Sequence, residues 1–141
     1  MVLSFDTEHF FGLGTIEYTP IHFMHQSVSF EEMAALLAVS EACVVASTRD
    51  GMNLVCFEYI ACQERGHGSL ILSEFAGAAQ GLSGAIVVNP WNVHDMARAL
   101  HKAVSMTEGE RTDRFNKMND YIQKYTRYVL DKNPVFRGVN K

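Results

Sequence analysis

The sequence has no surplus of basic residues, no long apolar run and no glycine-rich nucleotide signature. Its 141 residues carry a net charge of −4, which argues against non-specific nucleic-acid binding, because such binding needs a basic surface. No apolar run approaches the ~20 residues of a membrane span, and the N-terminus lacks the features of a signal peptide. Neither a G-x-G-x-x-G nor a Walker motif is present. These absences predict a cytoplasmic protein that binds neither nucleic acid nor a membrane.

Cysteine and histidine show no spacing typical of disulfides or metal sites. Cys43, Cys56 and Cys62 are odd in number and form no C-x-x-C pair, so we expect buried free thiols in a reducing compartment. His94 and His101 are seven positions apart and could share a helix face, but no third ligand is evident. We therefore predict no metal and no cofactor.

Apolar strand patterns and helical patterns alternate along the chain. Apolar residues make up 48% of the sequence, which is enough for one domain with a hydrophobic core. The alternation predicts an α/β fold with a parallel sheet and right-handed crossovers. The predicted strands are 15–24, 42–47, 69–74 and 85–90, and the predicted helices follow Ser29, Asn53, Asn92 and Thr107.

Several of these helices have recognisable N-terminal signals. Ser29 with Glu32, and Thr107 with Glu110, have the spacing of a capping box, and Asn92 is a suitable N-cap. The helical spacing of apolar residues then predicts which faces are buried. The predicted faces are Met33, Leu36 and Leu37; Val93, Met96, Ala97, Leu100 and Val104; and Phe115, Met118, Ile122, Tyr125 and Val129.

The junction between strand 42–47 and the next helix is the candidate site. In an open α/β sheet, ligands bind beyond the carboxyl ends of the strands, and a helix N-terminus offers unpaired N–H groups to a phosphate. Gly51 lets the backbone approach a ligand closely. Asp50 can accept hydrogen bonds from hydroxyl groups, and Glu58 lies one turn into the helix. The amides expected to face a diphosphate are those of Asn53, Leu54 and Val55.

A purely structural interpretation of the same acids stays open at this point. Acidic residues are common at helix N-termini, where they cap the helix or favour its dipole. Asp50 would then be only an N-cap, and Glu58 only a solvated helix residue.

Four stretches of the sequence resemble the trehalose-6-phosphate synthase family. They are EYTPIHFMHQSVSFEE, RDGMNLVCFEYIACQ, LILSEFAGAAQ and VVNPWN. The resemblance runs from about Gly14 to Tyr128 and implies a Rossmann-like sheet with helices on both faces. This sheet would be part of the C-terminal lobe of a two-lobed, GT-B type retaining glucosyltransferase.

The resemblance also implies a role for each residue of the junction. Asp50 would be the catalytic residue that hydrogen-bonds the donor glucose, and Glu58 would accept both ribose hydroxyls of UDP-glucose. The block 73–79 borders the cleft and is assigned no role. The other implied donor contacts are the backbones of Gly51, Met52 and Asn53 to the sugar, the amides of Leu54 and Val55 to the diphosphate, and Val28 to the uracil.

The family reaction transfers glucose from UDP-glucose to glucose 6-phosphate, without a metal. The two-lobed fold needs roughly three times this length, so the resemblance covers only part of one lobe, and the acceptor lobe and an upstream basic pair are missing. We expect an irregular segment over 1–13, a partial sugar-nucleotide domain over 14–130 and a loose tail over 131–141. The chain alone is then expected to be inactive.

Other functions are compatible with the same residues. The chain can be a non-catalytic regulatory or binding module that acts with a partner chain, or a different sugar-nucleotide transferase that shares the paired acids. The last helix would face the missing lobe, which predicts an exposed apolar stripe or self-association. The residues of this stripe are Tyr121, Ile122, Tyr125 and Val129.

Overall fold

The computed structural model describes the backbone of residues 25–132 and the side chains of residues 25–124. Helices and parallel strands alternate in this range, which confirms the predicted α/β class. The strand predicted at 15–24 lies outside the described residues. The elements are α1 (Phe30–Val39), β1 (Ala42–Val45), α2 (Leu54–Cys62), β2 (Ser69–Ser73), a 3₁₀ turn (Gly77–Gln80), β3 (Ile86–Val88), α3 (Val93–Ser105) and α4 (Glu108–Lys132).

The three described strands form one parallel sheet in the order β1-β2-β3. Ala42 pairs with Ser69 at the start of β1, and Ile71 pairs with Ile86 at the start of β3. All five residues of β2 are buried, as expected for a central strand that is covered on both faces. The carboxyl ends of all three strands therefore meet at one edge of the sheet.

Alternate residues of β2 enter two separate hydrophobic clusters, because successive side chains of a strand point to opposite faces. Leu70 and Leu72 pack with residues of α2 and α4 on one face. Ile71 packs with Ala99 and Ala103 of α3 on the other face. The sheet thus carries helices on both faces, as predicted.

The helix starts follow the predicted capping residues, with one difference. Ser29 and Glu32 form both hydrogen bonds of a capping box at α1, and the Asn92 side chain accepts from two backbone N–H groups at α3. At α4, the Glu110 N–H donates to Thr107 Oγ1 at 3.3 Å. Within the described residues, the Glu110 carboxylate pairs with Arg114 and Lys102 instead of returning to Thr107, so this second box is only half formed.

The predicted apolar faces of α1 and α3 are partly wrong. Leu36 of α1 is 50% exposed, and only Leu37 packs against the core. In α3 the predicted Met96 packs against the cluster on this face of the sheet, but the buried members of the helix are Ala99 and Ala103, which were not predicted. These small side chains let the helix approach the strands closely. As a result, larger apolar residues of α3 are turned outward, namely Val93, Leu100 and Val104.

The predicted stripe on the last helix is wrong for the two members whose side chains are described. Tyr121 and Ile122 are half-buried and pack against the cluster that contains α2. They contact the chain's own core, so they do not form an exposed apolar surface. The side chains of Tyr125 and Val129 lie outside the described residues.

The buried side chain of Gln63 joins α1 to the end of α2. Its Nε2 donates to the carbonyls of Leu37 at 2.6 Å and Ser40 at 2.9 Å, and its Oε1 accepts from the Gly68 N–H at 2.8 Å. Gln63 is 1% exposed, so an apolar residue here would leave buried backbone groups without partners. These hydrogen bonds hold the C-terminal end of α2 against the end of α1.

Candidate functional site

The loop between β1 and α2 lies at the carboxyl edge of the sheet. Asp50 continues the parallel pairing of β1 and β2 as an isolated bridge to Ala76. The Asp50 N–H donates to the Phe75 carbonyl at 3.3 Å, and the Asp50 carbonyl accepts from the Gly77 N–H at 3.0 Å. Both backbone groups of Asp50 are therefore held by the segment that follows β2.

The Asp50 carboxylate takes part in a local hydrogen-bond network. Its Oδ2 accepts from Asn53 Nδ2 at 2.7 Å and from Ser47 Oγ at 3.5 Å. The N-cap of α2 is Asn53, whose Oδ1 accepts from the Cys56 N–H at 3.3 Å. The structural interpretation of Asp50 as an N-cap is therefore wrong. The sequence analysis missed Ser47, although its position three residues before Asp50 is a local signal.

The first turn of α2 presents free backbone donors. Within residues 25–132, the N–H groups of Leu54 and Val55 donate to no protein acceptor, as expected at the start of a helix. The side chains of both residues, and that of Met52, are exposed. The candidate amides thus have no protein acceptor and lie at the positive end of the helix dipole.

Glu58 lies on α2 one turn after Leu54. It is half-buried, and within the described part of the chain it has no hydrogen-bond or ion-pair partner. The core-facing residues of α2 are Cys56, Tyr59 and Ile60, so Glu58 lies away from the core, on the same side as Leu54. A common ligand for Asp50 and Glu58 stays a prediction.

Two hollows lie near the predicted residues. A cleft of about 410 Å³ is lined by Gly51, Met52 and residues of the 3₁₀ turn, and Tyr121 of α4 closes it. Neither Asp50 nor Glu58 lines this cleft. Val28 lines a different hollow of about 370 Å³ beside α1, with Leu36 and Val39. The structure therefore places Gly51 and Met52 at one cleft and Val28 at another, and neither of these two hollows brings Asp50 and Glu58 together.

We expect Gly77→Ala to destabilise the chain and displace this loop. A Cβ at Gly77 would lie 2.1 Å from the carbonyl oxygen of Gly51, so the backbone must shift. We expect a loss of about 1–3 kcal/mol in the free energy of unfolding, the usual cost of overpacking, measured by urea denaturation.

Gly109→Ala is the matched control for this substitution. A Cβ at Gly109 in α4 meets no atom within 4 Å, and Ala favours a helix over Gly by roughly 0.5–1 kcal/mol. Equal free energies of unfolding for the two variants would show that the contact between Gly77 and Gly51 is not tight.

The cysteines behind the loop are free thiols. Burial raises the pKa of the Cys43 thiol to about 11. Burial is also the main reason why the pKa of Cys56 rises to about 12, with smaller contributions from Cys43 and Asp50. Both thiols are therefore protonated at neutral pH, and neither provides a nucleophile.

Neither a metal site nor a membrane-spanning helix is found in the described residues. No three His, Cys, Asp or Glu side chains between residues 25 and 132 are grouped so as to hold a metal ion. In the same part of the chain, no helix combines the length and the apolar character needed to cross a membrane.

This arrangement defines a class of protein. A parallel sheet with helices on both faces, and free amides and carboxylates beyond its strand ends, is the architecture of Rossmann-like nucleotide-binding domains. The family model of glycosyltransferase family 20 matches residues 11–131. The chain therefore belongs to glycosyltransferase family 20, and the resemblance noted in the sequence is confirmed.

Curated relatives carry the names of trehalose-phosphate synthases. The chain is 65% identical over 113 residues to the UDP-forming α,α-trehalose-phosphate synthase 2 of Aspergillus fumigatus, and the match covers 80% of this chain and 24% of that protein. It is 62% identical over 113 residues to the UDP-forming synthase of Emericella nidulans, covering 80% and 22%. The chain thus spans about a quarter of the length of these relatives.

Solved structures confirm the GT-B lobe assignment. A UDP-forming α,α-trehalose-phosphate synthase from Burkholderia xenovorans, in complex with glucose-6-phosphate, superposes with a TM-score of 0.79 at 36% identity, covering 84% of this chain and 26% of that one. The N-terminal domain of Candida albicans trehalose-6-phosphate phosphatase gives a TM-score of 0.80 at 32% identity, covering 84% and 25%. The same fold therefore occurs in proteins named for two different activities.

Proposed function

We propose that this chain is the donor-binding part of a retaining glucosyltransferase. The reaction transfers glucose from UDP-glucose to glucose 6-phosphate, giving trehalose 6-phosphate and UDP. Relatives at 62% and 65% identity are named UDP-forming synthases, and a structural neighbour is in complex with glucose-6-phosphate. The observation that carries the proposal is the loop 50–55, whose free amides and held carboxylate lie together at the carboxyl edge of the sheet.

The free amides of α2 suit a diphosphate. The N–H groups of Leu54 and Val55 point out of the helix start and carry no protein acceptor among the described residues. Backbone donors with fixed directions, added to the helix dipole, stabilise negative charge without reorganising. In this proposal they take up the charge of the departing UDP, and no metal ion or other cofactor is required.

The two acids and the loop backbone hold the neutral parts of the donor. Glu58 has no protein partner in residues 25–132 and accepts both ribose hydroxyls, since one carboxylate can accept from two neighbouring donors. Asp50 accepts from hydroxyls of the glucose, and the backbones of Gly51, Met52 and Asn53 line the sugar. Val28 is assigned to the rim of the uracil pocket.

The chemistry proceeds on one face of the sugar. The bond from the anomeric carbon to the diphosphate oxygen breaks, and a bond to the acceptor hydroxyl forms on the same side. The acceptor proton passes to the departing phosphate oxygen, so UDP leaves and the configuration is retained. The protein contributes orientation and electrostatic stabilisation.

The proposal assigns the acceptor pocket to parts outside the aligned segment. Because the chain spans 22% to 24% of these relatives, we propose that it does not catalyse the reaction alone. We place the complete enzyme in the cytoplasm. Calorimetry of this chain with UDP and UDP-glucose is expected to give weak or no binding.

The proposal is tested in a chimera. In this chimera, the 113 residues of this chain that align with the A. fumigatus synthase replace the matching segment. We expect UDP release from UDP-glucose and glucose 6-phosphate at a rate within tenfold of the parent enzyme. A folded chimera that does not bind UDP-glucose would contradict the proposal.

A second function is favoured by one observation. The likeness to the N-terminal domain of a trehalose-6-phosphate phosphatase shows that this fold also occurs as part of a protein named for another activity. The chain would then be a non-catalytic binding or regulatory module that acts with a partner chain. A chimera that binds UDP-glucose but transfers no glucose would support this function.

Self-association through α4 is the remaining proposal on partners. Tyr121 and Ile122 already pack on the chain's own core. The proposal therefore depends on Tyr125 and Val129 alone, whose side chains lie outside the described residues.

A further inference from the structure

The side chain of Asn53 contacts both α2 and Asp50, and its Oδ1 also lies 3.6 Å from Cys56 Sγ, which can donate to it weakly. Its Oδ1 accepts from the Cys56 N–H at 3.3 Å, which caps α2. Its Nδ2 donates to Asp50 Oδ2 at 2.7 Å. A backbone N–H can only donate, and a carboxylate can only accept, so these two partners fix which end of the amide is oxygen and which is nitrogen.

These contacts leave one oxygen of Asp50 for a ligand. The backbone of Asp50 is held through Phe75 and Gly77, so the carboxylate can move only by rotation of its own side chain. Asn53 and Ser47 both donate to Oδ2. Within residues 25–132, Asp50 Oδ1 accepts no hydrogen bond. The 2.7 Å hydrogen bond from Asn53 Nδ2 to Oδ2 opposes a rotation of the carboxylate that would move Oδ1.

We propose that Asn53 is a positioning residue that orients Asp50 toward the donor sugar. This inference rests on the proposed function and assigns to the Asn53 side chain a role distinct from the backbone contact to the sugar. The same side chain joins the carboxylate to the N-terminus of α2. The Asp50 carboxylate and the amides of Leu54 and Val55 are therefore kept at a fixed distance and orientation to each other.

Asn92 makes comparable contacts outside the loop 50–58, although its carboxylate partner follows the cap by three residues instead of preceding it. Asn92 caps α3, with its Oδ1 accepting from the N–H groups of His94 and Asp95. Its Nδ2 donates to Asp95 Oδ2 at 2.7 Å, the same length as the bond from Asn53 to Asp50. A substitution at Asn92 thus removes the same kind of contact without touching the candidate site.

The test is Asn53→Ser in the chimera, compared with Asn92→Ser. Serine caps a helix about as well as asparagine, but its short side chain cannot both cap the helix and donate as the Nδ2 group does. For Asn53→Ser we expect kcat to fall about 10- to 100-fold, as for a lost hydrogen bond to a charged group. The Kd of UDP, which lacks the glucose, should stay within about twofold, and the melting temperature should fall by no more than in Asn92→Ser, which loses the same kind of hydrogen bond.

The outcomes separate this inference from the function on which it rests. If Asp50→Asn lowers kcat and Asn53→Ser does not, the positioning role is wrong and the proposed function stands. If neither changes kcat, the proposed function fails as well. A parallel loss of UDP affinity and melting temperature in Asn53→Ser would show a capping role only, and an equal loss of kcat in Asn92→Ser would also overturn the inference.

Discussion

Glu58→Ala in the chimera is expected to abolish detectable UDP-glucose binding. In the proposed site one carboxylate accepts two ribose hydroxyls, and a hydrogen bond to a charged group contributes about 1.5–3 kcal/mol. The loss of both corresponds to roughly 10²- to 10⁴-fold weaker binding. The fold should be unaffected, because Glu58 is only half-buried and faces away from the core residues of α2. Calorimetry with UDP-glucose measures the effect.

Glu64→Ala is the control for this prediction. Glu64 is also acidic, follows α2 by two residues and is exposed, but it lies at the opposite end of the helix from the free amides. We expect the Kd of this variant for UDP-glucose to stay within about twofold of the Kd of the unsubstituted chimera, because a distant exposed charge contributes little to binding. An unchanged Kd in Glu58→Ala would make Glu58 a solvated helix residue, as in the structural interpretation.

Asp50→Asn is expected to reduce turnover far more than nucleotide binding. The substitution keeps the shape of the side chain but removes the charge that Asn53 Nδ2 contacts at 2.7 Å and that, in the proposed site, the glucose hydroxyls meet. Removing one oriented polar contact at a reacting centre costs about 10²- to 10³-fold in kcat. The Kd of UDP should change less than about threefold. Steady-state kinetics with both substrates, and calorimetry with UDP, measure the two effects.

Asp95→Asn provides a closely matched control. Asp95 is held by Asn92 at the same distance, and its additional ion pair with Arg98 is exposed and therefore worth little. We expect normal turnover for this variant. Equal losses of kcat and UDP affinity in Asp50→Asn would instead indicate that Asp50 only maintains the loop.

Local signals explain most of what the sequence predicted correctly. Ser29 with Glu32, and Asn92, cap the helices that follow them, because capping depends on residues within one turn. The short apolar runs became β1, β2 and β3 because strands covered by helices on both faces need continuous apolar residues. The position of the candidate loop at the carboxyl edge followed from the same alternation, since parallel strands bring their carboxyl ends to one edge.

The errors concern contacts between distant residues. The periodicity of α3 marks its apolar residues, but only the tertiary fold decides that Ala99 and Ala103 contact the sheet while Leu100 faces outward. The bridge from Asp50 to Ala76 joins segments 26 positions apart, and nothing in the spacing of either segment predicts it. The resemblance supplied the roles of Asp50 and Glu58, but not the contact between Asp50 and Asn53.

The most direct measurement is a crystal structure of the chimera with UDP-glucose. We expect both ribose hydroxyls about 2.5–3.0 Å from the Glu58 carboxylate, the diphosphate on the amides of Leu54 and Val55, and a glucose hydroxyl on Asp50. A nucleotide bound elsewhere, or bound here with Glu58 or Asp50 turned away from it, would contradict the proposed function.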